Sequence, residues 1–232
     1  MKSLFTIIKK NFKDAKIDKL IRKLLTIEDN ISSEIINSIQ DLSHEEITRV
    51  LREAYSNLEP NLQKQFLAVL ENQGYMKVIY DKLNNGSENE ILYSLEILAL
   101  LKSPEAVDLI FKKLADNRET VRFEVAHTLV LYKNQSIVEL AIKELKQDTP
   151  YLPARLAQVL IGYGSIAVLE LINNLNNPEV DTDMVLEILA LMSDNTNDEK
   201  IVECLAANSE AITKARMVKS LKGAEVEGRQ EQ

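Results

Sequence analysis

Tryptophan is absent from the 232-residue chain, cysteine occurs once, histidine twice, proline five times and glycine six times. Each scarcity removes a class of protein. A single Cys204 excludes an internal disulfide, and its place in the helical pattern IVECLAA reads as a small packed hydrophobe. One thiol and two distant imidazoles, His44 and His127, supply too few of the usual ligands for a zinc site. Only His44 is followed by a glutamate, since Thr128 follows His127, so a two-iron centre built from repeated His-Glu pairs has no second half. His127, in EVAHTLVLY, reads as a structural histidine on a helix. No glycine-rich phosphate loop, nucleophile elbow or Ser-His-Asp order is found, and Gly162-Tyr163-Gly164 reads as a helix break with no strand before it.

Long apolar runs are missing too. None approaches the roughly 20 residues that span a bilayer. The opening MKSLFTIIKK has only LFTII as an apolar core and no small-residue cleavage site, so it does not read as a secretory signal and the expected location is cytoplasmic. The net charge is −8, unevenly spread. Residues 1–25 hold eight basic and two acidic side chains, a net of +6, which leaves −14 for the remainder. A body of that sign opposes nucleic-acid binding, because phosphate neutralisation needs a basic surface, and without tryptophan a stacking platform is also poorly supplied.

What is abundant is leucine, isoleucine, alanine, glutamate and lysine, a helix-forming mixture, and it recurs. Leu83, Leu114, Leu145, Leu175 and Leu205 each close an apolar segment, at successive separations of 31, 31, 30 and 30. LEILALL from Leu95 and LEILALM from Leu186 repeat the same wording 91 residues apart, three periods on. Such self-similarity signals stacked helix pairs, each burying its apolar face on its neighbours. First helices are expected near 61–72, 89–101, 118–132, 152–162, 182–192 and 212–221. Second helices are expected near 75–84, 104–115, 135–147, 165–176 and 198–208. Pro60, Gly74, Asn85-Gly86, Ser103-Pro104, Gly164-Ser165 and Asn177-Pro178 fall at the expected breaks.

Periodicity is poorer before residue 60. Two helices are expected there, near 31–41 and 44–57, the second started by a capping box of Ser43 and Glu46. Ile17, Leu20, Ile21, Leu24 and Leu25 form one helical stripe. Leu4, Phe5, Ile8 and Phe12 share a helical face flanked by Lys2, Lys9, Lys10 and Lys13. This is either a helix that seals the first repeat or a basic amphipathic helix for an acidic partner or for peripheral contact with an anionic membrane through residues 1–25. The organisation read from the sequence is a helical N-terminal cap or degenerate repeats over 1–60, a regular array over 61–222 and a flexible tail over 223–232.

Asp116, Val121-Arg122, Ala126, Leu129 and the second-helix stretch VELAIKEL resemble the HEAT repeats, in the short variety also found in phycobilin lyases. The resemblance covers residues 61–221 and implies an all-α fold, a right-handed α-solenoid of stacked antiparallel helix pairs whose second helices line the concave face. The arginine after the first-helix valine has Pro153 and Asp183 at its counterparts, so an unbroken Asp/Arg ladder is not expected. HEAT-like architecture serves several unrelated activities, and the residues for iron hydroxylation or DNA repair are missing as set out above.

Residues that project from the second helices fall in rows. Asp108, Glu139 and Glu170 are 31 apart, as are Asp81, Lys112, Lys143 and Asn174. Asp108/Lys112 and Glu139/Lys143 also have the spacing of ordinary i,i+4 helix pairs. Asn173, Asn174, Asn176 and Asn177 form either a hydrogen-bonding end to the groove or a helix terminus rich in caps. The expected function is a non-catalytic scaffold or adaptor that binds a protein or peptide through Asp81, Asp108, Lys112, Glu139, Lys143, Glu170, Asn173 and Asn174, with no cofactor and no nucleic acid. A phycobilin-lyase-like or chaperone-like protein acting on a prosthetic group is the alternative that the repeat variety implies. Recruitment of the adaptor to a membrane surface through the basic N-terminal helix is the other.

Overall fold

The computed structural model describes residues 4–146, 148–193 and 199–208, with side chains from residue 14 onward. The helix expected at 212–221, the tail at 223–232 and the side chains of Leu4, Phe5, Ile8 and Phe12 lie outside the described residues. Among the described residues the protein is all-helical, without a strand. They form two compact units, one ending at Ile110 and one beginning at Phe111.

In the first unit, α1 (Leu4–Leu25) is one continuous helix that joins the two apolar stretches read from the sequence. It is followed by α2 (Ser33–Gln40), α3 (His44–Glu53), a 3-10 turn (Tyr55–Asn57), α4 (Pro60–Asn72), α5 (Tyr75–Asn85) and α6 (Glu88–Leu101). Next come a 3-10 turn at Pro104–Ala106 and α7 (Val107–Lys112), which carries the boundary between the units. Helix α1 packs on α2 and α3, α2 on α4, α3 on α6, and α5 on both α4 and α6. The capping box at the start of α3 is formed: Ser43 Oγ accepts from Glu46 N at 3.4 Å, and Ser43 N donates to Glu46 Oε2 at 2.7 Å. A second box, which the sequence reading missed, opens α6, where Ser87 N and Oγ both donate to Glu90 Oε2 at 3.0 and 2.9 Å. Both satisfy amides that the first helical turn leaves without partners.

His44 has a structural place in this unit. Its ring meets Tyr75 edge-on at 5.1 Å, and its carbonyl accepts from Thr48 Oγ1 and Tyr93 OH at 2.9 and 3.1 Å. Thr48 and Tyr93 hydroxyls lie 2.6 Å apart, and Tyr75 OH lies 3.3 Å from Tyr93 OH. Burial raises the Tyr75 phenol above its ordinary value, so it stays protonated as a member of this network.

The second unit opens with a 3-10 turn at Lys113–Ala115 and continues through α8 (Glu119–Tyr132), α9 (Gln135–Lys143), α10 (Pro153–Tyr163), α11 (Ser165–Asn173), α12 (Thr182–Ser193) and α13 (Glu199–Ala207). Helix α10 packs between α8 and α12, while α9 packs on α11. Ile137, Val138, Ala141 and Ile142 give α9 its buried stripe, with Glu139 and Lys143 on the exposed side, as the 3.6-residue period requires. Tyr163 stitches the layers: its hydroxyl donates to Leu129 O at 2.9 Å and accepts from Asn134 N at 3.1 Å. Leu83, Leu114 and Leu145 are fully buried, whereas Leu175 and Leu205 are only partly covered, so the five periodic leucines are not equivalent in packing.

The turns between first and second helices hold a regularity of their own. Lys102 after α6 and Lys133 after α8 adopt positive φ, 50° and 51°, and Gly164 after α10 has φ 58°. Successive members are 31 residues apart. Lys102 and Lys133, with ψ 39° and 37°, are in the left-handed helical region and incur its Cβ penalty, whereas Gly164, with ψ −131°, occupies a different positive-φ region open to glycine; each ends its helix and re-aims the chain. The break read at Gly162-Tyr163-Gly164 falls between α10, which ends at Tyr163, and α11, which starts at Ser165. Gly162 itself is still within α10, where a Cβ would stand 2.4 Å from Val130 Cγ2 of α8, so its bare backbone permits close helix approach.

Two outcomes follow from this packing. Leu145→Ala should cost about 2–5 kcal/mol through lost burial and a residual cavity, and an unchanged thermal midpoint would refute the assigned register. Lys133→Gly should stabilise the chain by up to about 1 kcal/mol, read as a raised urea midpoint at constant slope, because it removes left-handed strain while leaving the buried residues in place.

Candidate functional site

Helices α9 and α11 stand side by side in the second unit, each presenting the residues that its buried stripe leaves outward. Between them lies a surface pocket of about 220 Å³ lined by Glu139, Ile142 and Lys143 of α9, Glu170 of α11, and Asn174, Asn177, Glu179 and Val180 of the segment after α11. Four of the eight sequence-derived residues, Glu139, Lys143, Glu170 and Asn174, therefore meet at one place. The reason is geometric: a 31-residue offset returns the chain to the same position on the adjacent second helix.

The polar floor is built from local chemistry. Asn174 Nδ2 donates to Glu170 O at 2.9 Å, and Asn177 Nδ2 donates to Asn174 Oδ1 at 3.0 Å. Asn177 Oδ1 accepts from Glu179 N at 3.1 Å. Of the four asparagines, Asn174 and Asn177 line the pocket, and their hydrogen bonds order the turn that follows α11. Gln135 Nε2 donates to Glu170 Oε1 at 3.4 Å, holding that carboxylate toward α9. The base of the segment is anchored where Asp181 N donates to Leu145 O at 2.6 Å. Ile142 and Val180, 3% and 7% exposed, supply the apolar part. Three carboxylates against one ammonium make the pocket acidic.

The other four residues are placed elsewhere. Asn173 is exposed at the end of α11 and does not line the pocket. Lys112 is exposed on α7. Asp108 is exposed on the part of α7 that belongs to the first unit, and Asp81, on α5 of that unit, accepts from Asn85 Nδ2 at 2.9 Å. Glu179 and Val180 were not foreseen; they lie in a turn, where helical periodicity gives no guide to direction.

A charged network at the starts of α8 and α10 was also missed as a unit. Asp116, 7% exposed in its side chain, accepts from Arg118 Nε and Nη2 at 2.8 Å each and from Arg118 N at 3.0 Å. Arg122 Nη1 donates to Asp116 O at 2.6 Å. Glu119 is bound by both Arg122 and Arg155, which carries the network from α8 to α10. The Arg155 guanidinium also lies 5.5 Å from the centre of the Phe123 ring. Asp116 and Arg122 are thus joined through a backbone carbonyl, and Arg155 of α10 closes on Glu119 of α8. His127 is exposed on α8 with Glu124 3.7 Å away, Cys204 is half-buried with its thiol pushed up by burial, and among the described residues no three His, Cys, Asp or Glu side chains are grouped to hold a metal.

Hydrogen bonds from Arg118 hold the Asp116 carboxyl down at about 2, against an opposing effect of burial. A folded-state pKa below the unfolded one means that the carboxylate contributes stability above the ordinary range near 4, and that this is lost as pH falls toward 2. Asp116→Asn should therefore cost about 2 kcal/mol at pH 7, with the difference from wild type shrinking below pH 4 in urea unfolding; a pH-independent difference would contradict the assignment. No described helix is long and apolar enough to cross a membrane. No protein-family model matches the sequence, and no curated protein is similar to it.

Proposed function

We propose that the chain is a HEAT-like α-solenoid, right-handed, of helix pairs about 30 residues long, and that it works as a non-catalytic adaptor whose second helices bind a protein or peptide. The observation that carries this reading is the convergence of Glu139, Lys143, Glu170 and Asn174 on one pocket between α9 and α11. Regular helix alternation, the packing of α8, α10 and α12 in succession, and positive-φ turns at a 31-residue interval support the repeat architecture.

The pocket's chemistry suits a peptide side chain better than a reaction. Its carboxylates and amides lie over the apolar Ile142 and Val180, a combination that receives the aliphatic stem of a basic side chain while its charged end meets Glu139, Glu170 or Glu179. Lys143 adds selectivity, because it repels a second cation placed near it. No nucleophile with an adjacent base lines the pocket, so recognition accounts for its residues more economically than catalysis.

In-cell photo-crosslinking tests the proposal, with the reactive residue at position 174 and a control at exposed Lys64. One discrete protein adduct is expected at 174 and none at 64, with loss of the adduct in Glu139→Lys/Glu170→Lys at unchanged circular dichroism. An adduct that survives the double charge reversal, or its absence at 174, would overturn it.

A further inference from the structure

Within the first unit, the way α1 is seated separates its charges. Ile17, Leu20, Ile21 and Leu24 are buried, 1–7% exposed, where the helix meets α2 and α3. Asp14 and Asp18, the only acids of residues 1–25, are both drawn to Arg49 of α3, at 3.3 and 2.5 Å. The side of α1 that remains outward carries Lys16, Lys19, Arg22 and Lys23, bordering two adjoining depressions of about 180 and 490 Å³, the second wide and open. Lys16 pairs with Asp41 at 3.5 Å and Lys23 with Glu34 at 2.6 Å. Lys19 and Arg22 form no described ion pair, although Lys19 is near enough to Glu34 to help hold that carboxyl below its ordinary range, and Arg22 Nε donates to the Asp18 backbone carbonyl.

From this geometry we infer that the outer face of α1 is a docking surface for an anionic lipid bilayer. Charge complementarity selects the occupant. The 22 residues of α1 extend about 33 Å, and its outward side carries four basic side chains between residues 16 and 23. Basic clusters of this size are drawn to the negative cytoplasmic leaflet. Leu4, Phe5, Ile8 and Phe12 share one face by spacing and supply a second, apolar signal, while the apolar stripe of residues 17–24 is already used in packing. Nucleic acid fits less well: residues 26–232 carry a net −14, and the described outer face of α1 holds no aromatic ring for a base to stack on.

Co-sedimentation of the full chain with vesicles tests this, using phosphatidylcholine alone and phosphatidylcholine with phosphatidylserine at about physiological salt. Binding is expected only to the anionic vesicles and should weaken as salt is raised. Lys19→Glu/Arg22→Glu, which breaks no described ion pair, should lower partitioning at least about tenfold. Lys64→Glu/Lys77→Glu, an equal charge change at exposed sites on α4 and α5, should leave it within a factor of about two. Failure to bind anionic vesicles, equal losses in the two variants, or tighter retention on duplex DNA or single-stranded RNA than on the vesicles would each overturn the inference.

Discussion

Every helix here has one stripe too apolar to leave in water, and the structure depends on each stripe finding another. Ile91, Leu95 and Leu98 of α6, Val121, Val125 and Leu129 of α8, and Leu156, Val159 and Leu160 of α10 are at most 1% exposed. Burial of a side chain of this kind contributes about 1.5–3 kcal/mol, far more than the exposed ion pairs, whose typical worth is below about 1 kcal/mol. In the second unit α9 packs on α11, and the outward-facing Glu139 and Glu170, 31 residues apart, are brought together as a by-product of that packing. The pocket between α9 and α11 is that by-product given a chemical character by Glu139, Glu170 and the asparagine turn.

Polar groups tune this scaffold at its ends. Capping boxes at Ser43 and Ser87 start helices, positive-φ residues at Lys102, Lys133 and Gly164 stop them, and the Asp116 network fastens the entry to α8. Asp116 is the informative case, because its carboxylate is nearly buried and is held by three hydrogen bonds from Arg118 with the Lys113 ammonium 3.8 Å away. Tyr163 serves the same end from inside, satisfying a carbonyl at the end of α8 and an amide before α9 together.

The two proposed surfaces divide the labour by charge. An acidic pocket on the second unit suits a basic peptide, and a basic helix face on the first suits anionic lipid. Both arise from the same rule, that residues excluded from the buried stripe are free to be selected for what they meet outside. An adaptor that holds a membrane with one surface and a protein with another would need both to be independent, and they share no residue.

Most helix starts, the capping box at Ser43 and the row containing Glu139 and Glu170 were legible in the sequence, because periodicity, capping chemistry and fixed offsets are local or strictly repeating, whereas α3, α9 and α11 end three or four residues before the expected 57, 147 and 176. Turn geometry was less legible: Gly74 and Gly164 announce positive φ, whereas Lys102 and Lys133 hide it, and the close approach of Val130 to Gly162 has no sequence signal. The direction of Glu179 and Val180, the capture of Asp14 and Asp18 by Arg49, and the closing of Glu119 with Arg155 could be decided only in three dimensions. These side chains meet across helices, 31 to 40 residues apart in several cases, where no local propensity acts and only packing determines which groups become neighbours.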